Sequence, residues 1–126
     1  MYPEDLKYTH EHEWARVEGA RATMGITDYA QDALGDIVYV DLPAVGVTVS
    51  SGAALGEVES TKSVSELFSP VSGTVTERND ELDKHPEVIN ADPYGQGWLL
   101  VIEMSDPSEA EQLLDASDYS KLVEES

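Results

Sequence analysis

The chain has 126 residues, no cysteine and a formal net charge of −19, from 26 acidic against seven basic side chains. That length suits one domain with a real core, and the missing cysteines exclude disulfides, thiolate metal ligands and a cysteine nucleophile. The acidity repels nucleic-acid phosphates and anionic lipid, which excludes both as partners.

Met1-Tyr2-Pro3-Glu4-Asp5 has no cationic region followed by an apolar run, so no signal peptide is expected. Apolar stretches such as Trp98 to Ile102 are too short to cross a bilayer, and the expected location is the cytoplasm. Carboxylates are spread from Glu4 to Glu125, while lysine is confined to Lys7, Lys62, Lys84 and Lys121. An acidic surface for a basic partner is usually localised, so the even spread reads as halophilic adaptation, with ions screening the self-repulsion. The same charge favours a monomer. Hydrophobic residues make up 40% of the chain in orderly patterns, which argues against disorder.

In chain order, His12 to Val17 alternates as a strand, Gly19 offers a turn, and Arg21 to Ile26 forms a second strand. Thr27 is placed to cap a short helix, Asp28 to Leu34, that Gly35 ends. Ile37-Val38-Tyr39-Val40 is apolar on both faces and predicts a buried central strand. Pro43, Gly46, Gly52, Gly56, Pro70 and Gly73 then punctuate short strands at Val47–Val49, Leu55–Glu59, Val64–Phe68 and Thr74–Thr76, a rhythm that favours a small sandwich or barrel. Asp80 to Asn90 reads as irregular or briefly helical. Trp98, Leu100, Ile102 and Met104 share one face of a last strand, with Glu103 on the other. Asp106-Pro107-Ser108-Glu109 has the form of a capping box, and Ala110, Leu113, Leu114, Tyr119, Leu122 and Val123 follow at helical spacing. The expected class is mostly β with peripheral helices, residues 1–126 forming one domain with C-terminal helices at about 107–125.

The informative segment runs from Gly52 to Gly73. Two strands flank Ser60-Thr61-Lys62-Ser63, and Thr61 resists positive φ, so a type I turn is expected with Lys62 at its apex. A lysine on a turn is ordinarily only a solvated residue. Here it is framed by matching strands, with Gly52 ten residues before it and Gly73 eleven after. A modifying enzyme would recognise one lysine by such a frame and reject the others.

The chain resembles the H protein of the glycine cleavage system. The residues that carry the likeness are Glu59-Ser60-Thr61-Lys62, then Ser69-Pro70-Val71-Ser72-Gly73. Further blocks are Tyr8-Thr9 with His12-Glu13-Trp14, Gly25 to Gln31, Leu34-Gly35-Asp36, Ile89-Asn90, Asp92-Pro93-Tyr94-Gly95 and Gly97-Trp98. The resemblance implies a lipoyl-type flattened barrel-sandwich of two small sheets, with lipoic acid in amide linkage to Lys62 inside the motif Glu59, Ser60, Thr61. Biotin carriers share the fold but place methionines beside their lysine, where Thr61 and Ser63 stand; acyltransferase-linked lipoyl domains carry Asp-Lys-Ala.

The implied partners are a pyridoxal phosphate glycine decarboxylase, a tetrahydrofolate-dependent aminomethyltransferase, the flavin enzyme dihydrolipoyl dehydrogenase and a lipoyl-attaching enzyme. The implied role is a carrier of the aminomethyl unit between them and not an enzyme. A lipoyl relay to other proteins and an unmodified binding module are the alternatives. A loaded arm ends in an ammonium prone to hydrolysis, so a cleft with carboxylates is expected to hold it, Glu13 and Glu66 being the candidates. Both also fit an ordinary acidic surface. His10 and His12 fall on one predicted strand face but lack a third ligand and read as solvated; Trp14 and Trp98 read as core.

Overall fold

The computed structural model describes residues 2–125. The strands are β1 (Lys7–Tyr8), β2 (Glu13–Glu18), β3 (Arg21–Ile26), β4 (Ile37–Asp41), β5 (Thr48–Val49), β6 (Ala54–Ser60), β7 (Val64–Phe68), β8 (Gly73–Arg78) and β9 (Leu100–Met104). The helices are α1 (Asp28–Leu34), α2 (Val88–Ala91) and α3 (Ala116–Glu124), with 3-10 turns at Asp80–Asp83 and Pro107–Gln112. A six-stranded sheet runs β1-β2-β3-β9-β8-β5 and a three-stranded sheet runs β4-β6-β7. Every pairing is antiparallel.

The strand pattern follows from alternation. Ala22, Met24 and Ile26 of β3, Leu100 and Ile102 of β9 and Val75 of β8 point inward from the large sheet. They meet Ile37, Val40, Val58 and Leu67 from the small one. A buried leucine or isoleucine of this kind contributes about 1.5–3 kcal/mol relative to exposure. A second cluster packs Leu6, Tyr8 and Trp14 against Ala116 and Tyr119 of α3. Tyr8 and Tyr119 stack with ring centroids 4.7 Å apart. Gly25 lies against the Trp14 indole, where a Cβ would sit 2.7 Å from ring atoms, so this close approach requires glycine.

Helix α1 starts and stops as its sequence dictates. The Thr27 hydroxyl accepts the Ala30 N–H at 3.2 Å, and Gly35 leaves the helix at φ +84° while its N–H bonds Gln31 O. In the last strand Leu100, Ile102 and Met104 are buried and Glu103 is exposed as expected, but Val101 is buried as well, and Trp98 lies before the strand and packs in the second cluster, not with them.

Two expectations need correction. The segment Ile37–Val40 is not a central strand: β4 is the edge of the small sheet, and Val38 and Tyr39 are 47% and 57% exposed. A register shift between Ile37 and Tyr39 turns two consecutive side chains outward, as a bulge does. An apolar run therefore did not mean burial on both faces. The capping box at Asp106 is not closed either. Asp106 accepts the Ser108 N–H at 3.1 Å, but the Glu109 carboxylate bonds the Ser72 N–H and hydroxyl at 2.7 and 3.0 Å. A partner 37 residues away in sequence won over the local one.

Candidate functional site

Strands β6 and β7 form a hairpin whose last ladder pair is Glu59 with Val64. The bend beyond it is built by Ser60, which is buried. The Ser60 N–H donates to Ser63 O at 2.8 Å. Its hydroxyl oxygen accepts the N–H groups of Lys62 and Ser63 at 3.3 and 3.1 Å. No residue of the bend has positive φ, as Thr61 requires. The Ser63 N–H thus meets the serine side chain and not the Ser60 carbonyl of the expected type I turn, so a side-chain-closed bend replaces it.

Lys62 stands exposed at this tip and makes no ion pair among the described residues. Its stem leans beside Gly35: a Cβ built there would lie 3.6 Å from Lys62 Cε. Thr61 anchors the tip by donating its N–H to Asp36 O at 3.0 Å. Glu59 is exposed on the outer face, between Tyr39 on β4 and Val64 on β7. The bend leaves the amine accessible while fixing its Cα, which suits a lysine that another protein must acylate. A covalent arm fits here because Lys62 is exposed.

Glu13 occupies a different environment. It is 1% exposed and lines a cavity of about 210 Å³ with Thr9, His10, Glu11, Ser51, Phe68 and Gln112 among its walls. The Thr9 hydroxyl donates to Glu13 Oε1 at 2.7 Å and accepts the Glu13 N–H at 3.1 Å. The Phe68 N–H, on the free edge of β7, donates to Oε2 at 3.2 Å. Burial pushes the Glu13 carboxyl up to about 7, against the opposing pull of these two bonds. Thr9 as partner of Glu13 was not singled out in the sequence; a threonine four residues before an acid in a tight turn is the signal that points to it.

Glu66 does not join Glu13. It is exposed, does not line the cavity and faces Glu57, which in turn faces Asp41, in one row across the small sheet. The structure brings Glu13 to β7 at Phe68, two residues further along. His10 and His12 lie in the turn before β2, not on a strand. His12, at φ +70°, is half-buried and its Nδ1 bonds the Tyr119 hydroxyl at 2.8 Å, so it is a packed histidine and not a solvated one. Among the described residues, no group of three acids or histidines is placed to hold a metal.

Fold and site together define a class: a small antiparallel domain of two sheets that holds up one exposed lysine at a hairpin tip. The family model described as "Glycine cleavage H-protein" matches residues 6–126. The chain is 58% identical over 98% of its length to the "Glycine cleavage system H protein" of Anaeromyxobacter sp. (strain K), covering 96% of that protein. It is 54% identical over 96% of its length to "Glycine cleavage system H protein 2, mitochondrial" of Arabidopsis thaliana, covering 78% of it. The crystal structure of a glycine cleavage system H protein from Mycobacterium marinum superposes with a TM-score of 0.89 at 44% identity, covering 97% of this chain and 98% of that one.

The chain belongs to the glycine cleavage H-protein family. It is a lipoyl carrier of the glycine cleavage system, and not itself a catalyst.

Proposed function

We propose that lipoic acid is attached to this chain as an amide on Lys62, and that the chain, acting over residues 1–126 as one monomeric domain in the cytoplasm, presents the arm to each partner in turn. The observation that supports this best is the exposed Lys62 amine on a bend closed by Ser60. Glu59, Ser60 and Thr61 are the recognition frame for the lipoyl-attaching enzyme. When attached, the group supplies a disulfide that is reductively opened as it takes up an aminomethyl unit. Tethering places that disulfide at high local concentration once the carrier docks. The partners in this reading are the pyridoxal phosphate decarboxylase, the folate-dependent aminomethyltransferase and the flavin dehydrogenase.

The Glu13 crevice is where the chain's own residues act on the loaded end. A cationic amine entering it favours the ionised carboxyl and draws Glu13 below its resting value of about 7. Thr9 and Phe68 hold the two oxygens in place, and burial keeps water away from the bound amine. Glu66, exposed on the outer face, is the weaker candidate for this role.

Intact mass spectrometry of the natively expressed protein tests the attachment. One lipoyl adduct is expected, lost in Lys62→Arg; an adduct surviving that change would overturn the assignment. For the crevice, the lifetime of the aminomethyl-loaded carrier is compared in Glu13→Gln and Glu66→Gln. A shortened lifetime is expected in the first, and wild-type lifetimes in both would end the proposal.

A further inference from the structure

We infer that Asn90 is a positioning residue for Lys62, holding the hairpin tip in place through the backbone of Gly35, Asp36 and Ile37. This rests on the reading of Lys62 as the acylated lysine. Asn90 lies on α2, and its carboxamide is fully engaged. Its Oδ1 accepts the Ile37 N–H at 2.9 Å. Its Nδ2 donates to Gly35 O and to Gln31 Oε1, each at 2.9 Å. These partners fix the orientation of the amide, since a flip would set N–H against N–H and oxygen against two acceptors.

One side chain thereby grips the end of α1 and the first residue of β4, the two sides of Asp36. Between those grips the Asp36 carbonyl is left to accept the Thr61 N–H, one residue before the lysine. Ile37 is also the register partner of Ser60, one residue earlier still. Gly35, carried by the same grip, lies alongside the Lys62 stem. The bend's internal bonds all run through Ser60 and Ser63. What orients the bend relative to the rest of the molecule at Thr61 is the carbonyl that Asn90 sets in place.

An enzyme that selects a lysine by position depends on that orientation, and displacement of about 1 Å is enough to slow a positioned reaction markedly. Asn90 touches neither the amine nor the arm. Asn90→Asp is the informative change. It keeps volume and the acceptor for Ile37, but loses both donated bonds and places a carboxylate oxygen against two acceptors.

The experiment measures acylation of purified wild type, Asn90→Asp and Val75→Ala by a lipoate–protein ligase with lipoate and ATP, followed by intact mass. Amide hydrogen exchange is read on the same samples. Val75 is a core residue of β8, in the other sheet, and reports what loss of packing alone does. In Asn90→Asp, kcat/KM is expected to fall about tenfold, the order that follows from losing bonds that hold a reacting group. Protection of the Thr61 amide is expected to drop while the β3 and β9 amides keep theirs. Asn90→Asp within about twofold of wild type, or an equal fall in Val75→Ala, overturns the inference. Wild type that takes no adduct on Lys62 overturns the underlying carrier reading instead.

Discussion

The two sheets are built from similar residues but carry their charge differently. Strands of the large sheet hold Lys7, Arg16, Arg21 and Arg78. Two of these are paired: Arg21 with Glu77 at 2.8 Å, and Arg78 with Asp80 and Asp83 at 2.6 and 3.1 Å. Strands of the small sheet hold Asp41, Glu57, Glu59 and Glu66 and no basic residue. Its row Asp41–Glu57–Glu66 sets like charges directly opposite one another, an arrangement that costs stability. The large sheet, packed on α3 at its β1–β2 end and joined across strands by the Arg21–Glu77 pair, is the scaffold. The small sheet gives up stability on its outer face and displays the lysine.

The sharpest way to break this division is Glu13, which sits in the large sheet but bonds the edge of the small one. Its folded value of about 7 lies above the unfolded 4.5. Below pH 4.5 both states are protonated and burial carries no penalty. As pH rises from 4.5 to about 7 the unfolded chain ionises first, so stability is lost across that window and stays lost above it. Glu13→Gln is therefore expected to be more stable than wild type by about 3 kcal/mol at pH 8 and equal to it near pH 4. Urea melts at the two pH values check this, and a gain that persists at pH 4 would refute it.

The next effect is salt. Screening of the carboxylate row is expected to return roughly 0.5–2 kcal/mol between dilute and molar KCl. Hydrogen exchange should show the gain in β6 and β7 more than in β3 and β9. A melting temperature that does not move would remove both this expectation and the halophilic reading of the composition.

Ser60→Ala comes third. It orphans the Lys62 and Ser63 N–H groups at a partly buried bend and is expected to cost about 1 kcal/mol, measured by thermal melting, together with slower acylation. Lys62→Arg is the smallest in stability, within about 0.5 kcal/mol of wild type, and the largest in function, since no adduct can form. A large loss of stability on that change would show Lys62 to be part of the structure after all.

What was legible in the sequence was local. The caps made by Thr27 and Gly35 and the bonds of Ser60 within its bend join neighbours within a few positions, so turn and cap chemistry pointed to the helix and hairpin directly. The rest depends on partners distant in the chain. Glu13 is buried beside β7, where the Phe68 N–H, 55 residues away, bonds its carboxylate. The edge position of β4 depends on which strands pair, which apolar letters alone do not encode. Glu109 had a local role available and took a distant one on Ser72. His12 reads as a strand residue by alternation, yet Tyr119, 107 residues on, holds it in a turn.

The unpaired amine at the hairpin tip has a practical consequence. Acylation of Lys62 would neutralise the sole basic group of the hairpin and take the formal charge from −19 to −20. Bare and modified forms of this chain should therefore separate by anion exchange, the modified one eluting later. A single chromatogram then reports how much of a preparation is ready to work.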